Sequence, residues 1–153
     1  MAEISIRPAK PAEAKELTQI AIRSKAHWGY SQELIDIWAE DLCVTSASCD
    51  GESTWVIEVD GQLAGFGELL TQLAPAILDD LFIDPTFIGQ GLGGRLLQHL
   101  ITLARDRGIS AIEFDAEPHA VGFYERYGAH MIGERPSTAV PGRTLPIMEI
   151  RLG

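Results

Sequence analysis

Apolar residues recur along this chain with two different spacings, one typical of strands and one typical of helices. Ile4 and Ile6 alternate with polar neighbours, which predicts a first strand. Over Pro11–Lys25 the apolar residues return at helical spacing, and Ser31 is a suitable N-cap for a second helix. The apolar stripe expected on that second helix consists of Leu34, Ile37, Trp38 and Leu42.

The middle of the chain has the pattern of strands. Alternation over residues 55–59, the turn pair Asp60-Gly61 and the apolar run from Leu63 to Leu70 predict a β-hairpin. Pro75 then opens a longer strand, which we place at Ala76–Ile83. This strand leads directly into the most unusual segment of the chain.

Four glycines lie between Gly89 and Gly94, and apolar residues at helical spacing follow from Leu92 to Ala104. The next strand is expected at Ser110–Asp115. A strand, a helix and a second strand of these lengths form a right-handed parallel crossover. The glycines therefore lie at the N-terminus of the crossover helix.

The C-terminal part supplies a short helix that Gly128 ends, and two further strands around Ala129–Glu134 and Leu145–Leu152. The pattern as a whole predicts a mixed α/β fold, with an antiparallel first half and one parallel crossover. We expect a central twisted sheet of six to seven strands with about four helices. A length of 153 residues suits a single domain over residues 1–153.

Composition and charge narrow the function. A formal net charge of −10 argues against nucleic acid as a partner, because phosphate backbones bind basic surfaces, and it is compatible with a cationic substrate. Cys43 and Cys49 show no metal or disulfide spacing, and the single histidines, such as His99 and His130, predict no metal site. With no leader pattern and no membrane-spanning apolar run, the expected location is the cytoplasm and no membrane partner is expected.

Glycines at a helix N-terminus are typical of an anion site. Free backbone N–H groups and the positive end of the helix dipole point outward there, and glycine lets a phosphate approach closely. Arg95 adds a charged donor just after the cluster. The alternative is a turn that only caps the helix, but glycine prefers the other helix end for that purpose.

Gly89, Gly91 and Gly94 also match the G-x-G-x-x-G pattern of dinucleotide-binding folds, with Asp115 as the ribose acid. Two observations oppose that interpretation. Pro85 and its neighbours separate the strand from the first glycine, where a dinucleotide fold has a tight turn. The residues after Asp115 are also too few for a second nucleotide-binding half.

The chain contains two further recognisable motifs. The first is Leu81–Pro85 followed by Gly89–Leu97, and the second is Ala120–Ala129, which contains the run Phe-Tyr-Glu-Arg-Tyr-Gly. These motifs and their separation resemble the GNAT superfamily of acyl-CoA-dependent N-acetyltransferases, and the order of elements matches along the whole chain. Two departures stand out. Ile88 replaces the usual Arg or Gln before the first glycine, and His119 stands where relatives often place Asn.

The resemblance implies acetyl-CoA as co-substrate, bound where the parallel strands splay apart. The backbone of Leu81, Phe82 and Ile83 would pair with the pantetheine arm as an added strand does, and an N–H there would hold the developing oxyanion. The amides of the glycine segment would hold the pyrophosphate. The full set of implied cofactor-binding residues is Leu81, Phe82, Ile83, Gly89, Gln90, Gly91, Leu92, Gly93, Gly94, Arg95, His119 and Phe123.

The same resemblance implies catalytic side chains. Tyr124 would protonate the departing CoA thiolate, although aromatic stripes such as the one it belongs to are more often simply core. Asp79 or Asp80 would accept a proton from the amine, and we favour Asp79; both acids can also simply lie at a wet strand edge. Since neither cysteine lies near these motifs, direct attack on the thioester is favoured over a covalent acyl-enzyme.

The acceptor would be a primary amine of a small molecule or peptide. Candidate acceptor-binding residues are His27, Trp28, Tyr30 and Arg143, each of which can instead order its own loop. The resemblance leaves room for a homodimer. The alternative function is a non-catalytic acyl-CoA-binding or partner-binding domain of the same fold, which the departure at Ile88 motivates.

Overall fold

The structure, a computed structural model, describes residues 2–137 and 140–153. Within these residues seven strands form one mixed sheet in the order β1-β2-β3-β4-β5-β7-β6. The strands are β1 (Ile4–Pro8), β2 (Thr54–Val59), β3 (Gln62–Leu70), β4 (Ala76–Ile83), β5 (Ala111–Asp115), β6 (Ala129–Pro136) and β7 (Thr144–Arg151). The α-helices of the described residues are α1 (Ala14–Ala26), α2 (Gln32–Trp38), α3 (Leu92–Asp106) and α4 (Val121–Arg126).

The strand directions match the predicted topology. The pairs β1–β2, β2–β3, β5–β7 and β6–β7 are antiparallel, and the pair β4–β5 is parallel. The segment β4-α3-β5 is therefore the expected crossover, and the mixed α/β prediction is confirmed.

The chain divides into two compact units. The first comprises Met1–Glu68 and Asp80–Leu97, and the second comprises Leu69–Asp79 and Gln98–Gly153. Strand β4 and helix α3 each contribute residues to both units, so their two parts are described with the unit to which they belong.

The core of the first unit fixes the start of α3. Leu92 and Leu96 are almost fully buried and pack with Ile57, Val59 and Ala64 of the β2–β3 hairpin. Burying a leucine side chain contributes about 1.5–3 kcal/mol. Because Leu92 directly follows the glycine segment, its burial fixes the C-terminal end of that segment.

The second helix departs from the predicted stripe. Its cap is as expected, because the Leu34 N–H donates to Ser31 Oγ at 3.2 Å. Trp38 and Leu42 of the predicted stripe are buried, but Ile37 is 46% exposed and Ile35 is buried instead. Apolar residues at 34, 35, 37 and 38 fit two helical registers, and only packing against the first unit's core decides between them.

The hairpin turn has the geometry that its sequence predicts. Asp60 and Gly61 have φ values of 50° and 81°, the left-handed backbone of a two-residue hairpin turn.

None of the helices within the described residues combines the length and the apolar character that crossing a membrane would need.

Candidate functional site

Asp84 forms the corner between β4 and the glycine segment. Its backbone N–H donates to the Ala64 carbonyl at 2.7 Å. Its carboxylate accepts from the Thr86 N–H at 3.0 Å and from Arg23 Nε at 3.2 Å. Burial alone would raise the pKa of Asp84, but the hydrogen bonds from Arg23 and Thr86 outweigh burial and hold that pKa below its usual value. The corner is therefore a charged, fixed point.

The glycine segment after this corner has an exposed backbone. Gly89 and Gly91 have φ values of 86° and 74°, and a Cβ added at either would meet no atom within 4 Å. These glycines are therefore required by backbone conformation, and the space beside them is open to a ligand. Helix α3 begins directly afterwards, with the Arg95 N–H donating to the Gly91 carbonyl at 3.2 Å.

The remaining predicted phosphate-binding residues surround this open backbone. Ile88 is 50% exposed, and Gln90 and Arg95 are also exposed. The first turn of an α-helix leaves its amide N–H groups without intrahelical partners. Of the two glycines on this turn, Gly93 is half-buried and Gly94 is buried, so the exposed part of the predicted anion site is Gly89–Gly91. Its role in binding an anion stays a prediction.

The predicted pantetheine-binding residues of β4 lie in the same unit as the loop. Leu81, Phe82 and Ile83 are each half-buried, and the Phe82 ring packs against that of Phe66 at an angle of 42°, with centroids 5.8 Å apart. A Cβ at Gly65 would lie 2.6 Å from the Phe82 carbonyl oxygen. Glycine at position 65 therefore allows the backbone of β3 to lie close to the Phe82 carbonyl.

Strands β4 and β5 enclose a cavity in the second unit. They pair at Ala76↔Ile112 and Ile77↔Glu113. Next to these pairs is a cavity of about 190 Å³. Its lining comes from four strands and consists of Ile77, Leu78, Asp79, Glu113, Phe114, Asp115, Arg135 and Ile147.

The charged lining of this cavity is only partly foreseen by the sequence. Asp79, the acid favoured as a base, lines it and is exposed. Glu113 and Arg135 were missed, and Arg135 Nε contacts Asp115 Oδ1 at 3.2 Å. The signal for Glu113 was its place as the polar residue between two buried apolar ones on β5.

Tyr124 is buried within the second unit, on α4. Its ring lies 4.5 Å from that of Phe114, a residue that lines the cavity, and 5.1 Å from that of Phe123. The ring centroids of Phe123 and Tyr127 are in turn 5.2 Å apart. The aromatic stripe thus packs as a core would. It also places Tyr124 next to the cavity, with the Phe114 side chain between them.

His119 and Arg143 both contact Glu117. The His119 Nδ1 lies 2.7 Å from one Glu117 oxygen, and Arg143 Nη2 lies 3.8 Å from the other. The Arg143 side chain is 17% exposed, and its carbonyl accepts from the Ser137 N–H at 2.7 Å. These contacts support the loop-ordering interpretation of Arg143, whose acceptor role stays a prediction.

The predicted acceptor segment between α1 and α2 divides in two. His27 and Trp28 are exposed, with ring centroids 6.3 Å apart. Tyr30 instead packs edge-on against buried Trp38 at 4.8 Å, and Lys25 Nζ lies 4.7 Å from the Trp38 ring centroid. Tyr30 therefore packs the segment between α1 and α2 against α2, whereas His27 and Trp28 are accessible to solvent.

Sequence reasoning also missed Glu68. It is a buried carboxylate at the end of the first unit's part of β3, and Thr54 Oγ1, which donates to the Ser48 carbonyl at 2.8 Å, lies 3.5 Å from Glu68 Oε2. A carboxylate oxygen of Glu68 lies within 4.8 Å of one of Asp80. The available signal was a single acid within the apolar run Leu63–Leu70. Two carboxylates this close favour a cationic group or a shared proton.

Comparison with known proteins gives relatives of one kind. The chain is 36% identical over 73 residues to a peptidyl-lysine N-acetyltransferase, YjaB, of Salmonella typhimurium, and the alignment covers 48% of each chain. The match thus spans about half the length of that curated relative. A GCN5-related N-acetyltransferase structure from Rhodopseudomonas palustris superposes with a TM-score of 0.84 at 24% identity, covering 99% of this chain and 98% of that one.

A second solved structure adds a ligand. The PaiA N-acetyltransferase of Thermoplasma acidophilum, determined in complex with coenzyme A, has a TM-score of 0.75 at 21% identity, covering 97% of this chain and 99% of that one. At these identities the two structures establish the fold. The model of the acetyltransferase (GNAT) family matches residues 15–129, which is most of the chain. The chain therefore belongs to the GNAT family of acetyltransferases.

Proposed function

We propose that this chain is a single-domain enzyme that transfers an acetyl group from acetyl-CoA directly to a primary amine of a small molecule or peptide. The observation that carries the proposal is the cavity between β4 and β5, next to the residues Ala76 and Ile77 at which β4 pairs with β5. Family membership supplies the chemistry that such an opening would serve. We place the protein in the cytoplasm and propose no metal requirement.

The glycine segment would bind the pyrophosphate of acetyl-CoA. Its support is the open backbone at Gly89 and Gly91, followed at once by the amides of the first turn of α3. Arg95 is exposed on that turn and would add a charge-assisted contact. Most of the binding there would come from backbone N–H groups, so the site does not depend on a side chain at position 88.

The backbone of Leu81, Phe82 and Ile83 would hold the pantetheine arm, and an N–H at Leu81 or Phe82 would stabilise the oxyanion. The close approach of Gly65 to the Phe82 carbonyl supports this role, because it constrains the peptide that directly follows the proposed donors. A fixed donor does not have to reorganise when charge develops on the carbonyl oxygen.

In the reaction, the amine nitrogen attacks the thioester carbonyl carbon, so that a C–N bond forms and the C–S bond breaks. The ammonium proton would pass to Asp79 or Asp80. Exposed Asp79 on the cavity wall favours the first, and half-buried Asp80 beside Glu68 favours the second. The CoA thiolate would take a proton from the Tyr124 hydroxyl, whose unperturbed pKa of about 10 suits an alkyl thiol.

The acceptor would be a cationic amine. A net charge of −10 and three carboxylates around a cavity with one arginine favour a positively charged partner. The relative YjaB is named for peptidyl-lysine, and an Escherichia coli relative 31% identical over 96 residues is named for the alanine of ribosomal protein bS18. Peptide amines are thus reasonable acceptors, with His27 and Trp28 as accessible contacts.

Calorimetric titration with acetyl-CoA tests the proposal first. We expect binding in the micromolar range, and an absence of binding at millimolar acetyl-CoA would refute it. A thiol-release assay against lysine peptides, N-terminal alanine peptides and small amines then separates an enzyme from a binding module. Binding without turnover on any amine would favour the non-catalytic alternative, which the exposed Ile88 motivates.

A further inference from the structure

We propose that the ion pair between Arg23 and Asp84 positions the glycine segment for the pyrophosphate of CoA, so that Arg23 is a positioning residue for the cofactor although it lies on α1. The inference rests on the proposed function, since it concerns how acetyl-CoA is held. Arg23 and Asp84 are 61 residues apart in sequence, and both belong to the first unit.

Asp84 receives contacts from four sides. Its N–H donates to the Ala64 carbonyl and its own carbonyl accepts from the Phe87 N–H at 2.9 Å, while its carboxylate accepts from Thr86 and Arg23. The residue thus joins the hairpin, α1 and the turn Pro85–Phe87 that leads into the glycines. Its orientation therefore determines the direction in which the glycine segment leaves β4.

The two partners differ in exposure. The Asp84 side chain is 9% exposed and the Arg23 side chain 50% exposed. A buried carboxylate without its cation is strongly unfavourable, so loss of Arg23 forces Asp84 to rotate toward water or to take up a proton. Either response weakens the Asp84–Thr86 contact that starts the turn before the glycines.

Helix α1 also carries the proposed acceptor segment. The His27 N–H donates to the Arg23 carbonyl at 3.1 Å, so the residue that holds Asp84 also ends the helix before His27 and Trp28. The ion pair therefore joins the segment proposed to contact the acceptor with the segment proposed to contact the diphosphate, within one unit.

The test compares two acetyl donors, acetyl-CoA and S-acetylpantetheine, which lacks the diphosphate. In Arg23→Gln we expect the dissociation constant and the KM for acetyl-CoA to rise on the order of tenfold to a hundredfold, with kcat within about twofold of wild type. Affinity for S-acetylpantetheine should not change. Arg23→Lys should restore part of the acetyl-CoA affinity, because it keeps the charge.

Arg7→Gln is the matched control. Arg7 is also an ion-paired arginine of the first unit, with Glu13 and Glu58 at 2.7 Å, but it lies on β1. This variant should lose stability and keep the wild-type ratio of affinities for the two donors. Asp84→Asn, in which no buried charge is stranded, should show the donor-specific loss even if Arg23→Gln does not fold.

The outcomes separate the two proposals. If wild type binds acetyl-CoA and the variants weaken both donors equally, or neither, the positioning role is wrong while the proposed function stands. If wild type binds neither donor, the proposed function fails and the inference fails with it. A loss confined to acetyl-CoA in Arg23→Gln and Asp84→Asn, with Arg7→Gln unaffected, supports the positioning role.

Discussion

The glycine segment and the Tyr124 region are proposed to serve one reaction with different chemical groups. The segment from Asp84 to Gly94 would offer mainly backbone N–H groups, on a backbone with positive φ values that follows the half-exposed ion pair of Arg23 and Asp84. The Tyr124 region offers one hydroxyl on a ring packed among Phe114 and Phe123. A backbone site tolerates side-chain changes but not changes of conformation, whereas a side-chain site depends on a single atom.

The largest effect expected from this contrast is that of Tyr124→Phe. The ring and its packing against Phe114 remain, while the proposed proton donor is lost, and general acid catalysis contributes roughly 10²–10⁴ in rate. We expect kcat to fall by about that factor with an unchanged KM for acetyl-CoA. Steady-state thiol release measures both constants.

Tyr127→Phe is the control for that measurement, because Tyr127 lies on the same aromatic stripe and contacts Phe123 at 5.2 Å. It should keep near wild-type kcat. Equal losses in the two variants would mean that the stripe acts only through packing, and full turnover by Tyr124→Phe would remove the acid role.

A smaller effect is expected from a change of conformation in the glycine segment. Gly91→Ala places a Cβ at a φ of 74°, which costs about 1–2 kcal/mol unless the backbone moves. Movement would redirect the amides that precede α3. We expect affinity for acetyl-CoA to fall on the order of tenfold, measured by calorimetry, with kcat at saturation little changed.

Gly108→Ala supplies the same strain elsewhere. Gly108 has a φ of 75°, and a Cβ there also meets nothing within 4 Å. Both variants should lose similar free energy of unfolding in urea, and only Gly91→Ala should lose acetyl-CoA affinity. Loss of affinity in both would show that the effect is one of general stability.

The two regions also differ in how far the sequence could predict them. The glycine segment is contiguous, so its glycines, its helix start and its loop could be read directly from the chain. Glu113 and Arg135 line the same cavity as Asp79 because their strands belong to one sheet, and Arg23 contacts Asp84, which lies 61 residues later in the sequence. These contacts depend on the order of the strands and the placement of the helices, which the spacing of apolar residues does not predict.

The wrong position in the predicted α2 stripe, Ile37, has the same cause. Ile35 and Ile37 are equivalent in propensity, yet one is buried and the other 46% exposed. The difference arises from which face α2 turns toward the core, a tertiary property. Side-chain sites assembled from several elements are therefore the part of this molecule that sequence reasoning predicts least well.

A pH dependence should distinguish the two regions further. The pKa of Asp84 is lower in the folded protein than its usual value, so this residue stabilises the fold above the unfolded pKa of about 3.9. That stabilisation is lost as the pH falls through the folded pKa. Urea unfolding between pH 6 and pH 3 should show stability decreasing toward acid, and Asp84→Asn should flatten this slope.

Tyr124→Phe is the comparison variant for this slope, since a phenol does not titrate in that range. It should retain the full acid dependence of wild type. The pKa of Glu13 is also lowered, chiefly by its hydrogen bond from Arg7, so part of the slope should persist in Asp84→Asn. An unchanged slope in Asp84→Asn would show that the corner of the glycine segment is not held by charge.

The smallest expected effect is a gain of affinity from Ile88→Arg. Ile88 is 50% exposed beside the open backbone, and an exposed ion pair contributes about 0.2–1 kcal/mol. We therefore expect acetyl-CoA to bind roughly 1.4- to 5-fold more tightly at low salt, with no change for S-acetylpantetheine. Because exposed charges are screened, the gain should vanish in 0.5 M salt, and the uncharged Ile88→Gln should show little of it. A gain that survives high salt, or that extends to the donor without a diphosphate, would mean that position 88 acts through something other than charge at the pyrophosphate. No gain at any salt concentration would place the diphosphate away from this end of the segment, and the backbone amides of α3 would then have to be tested alone.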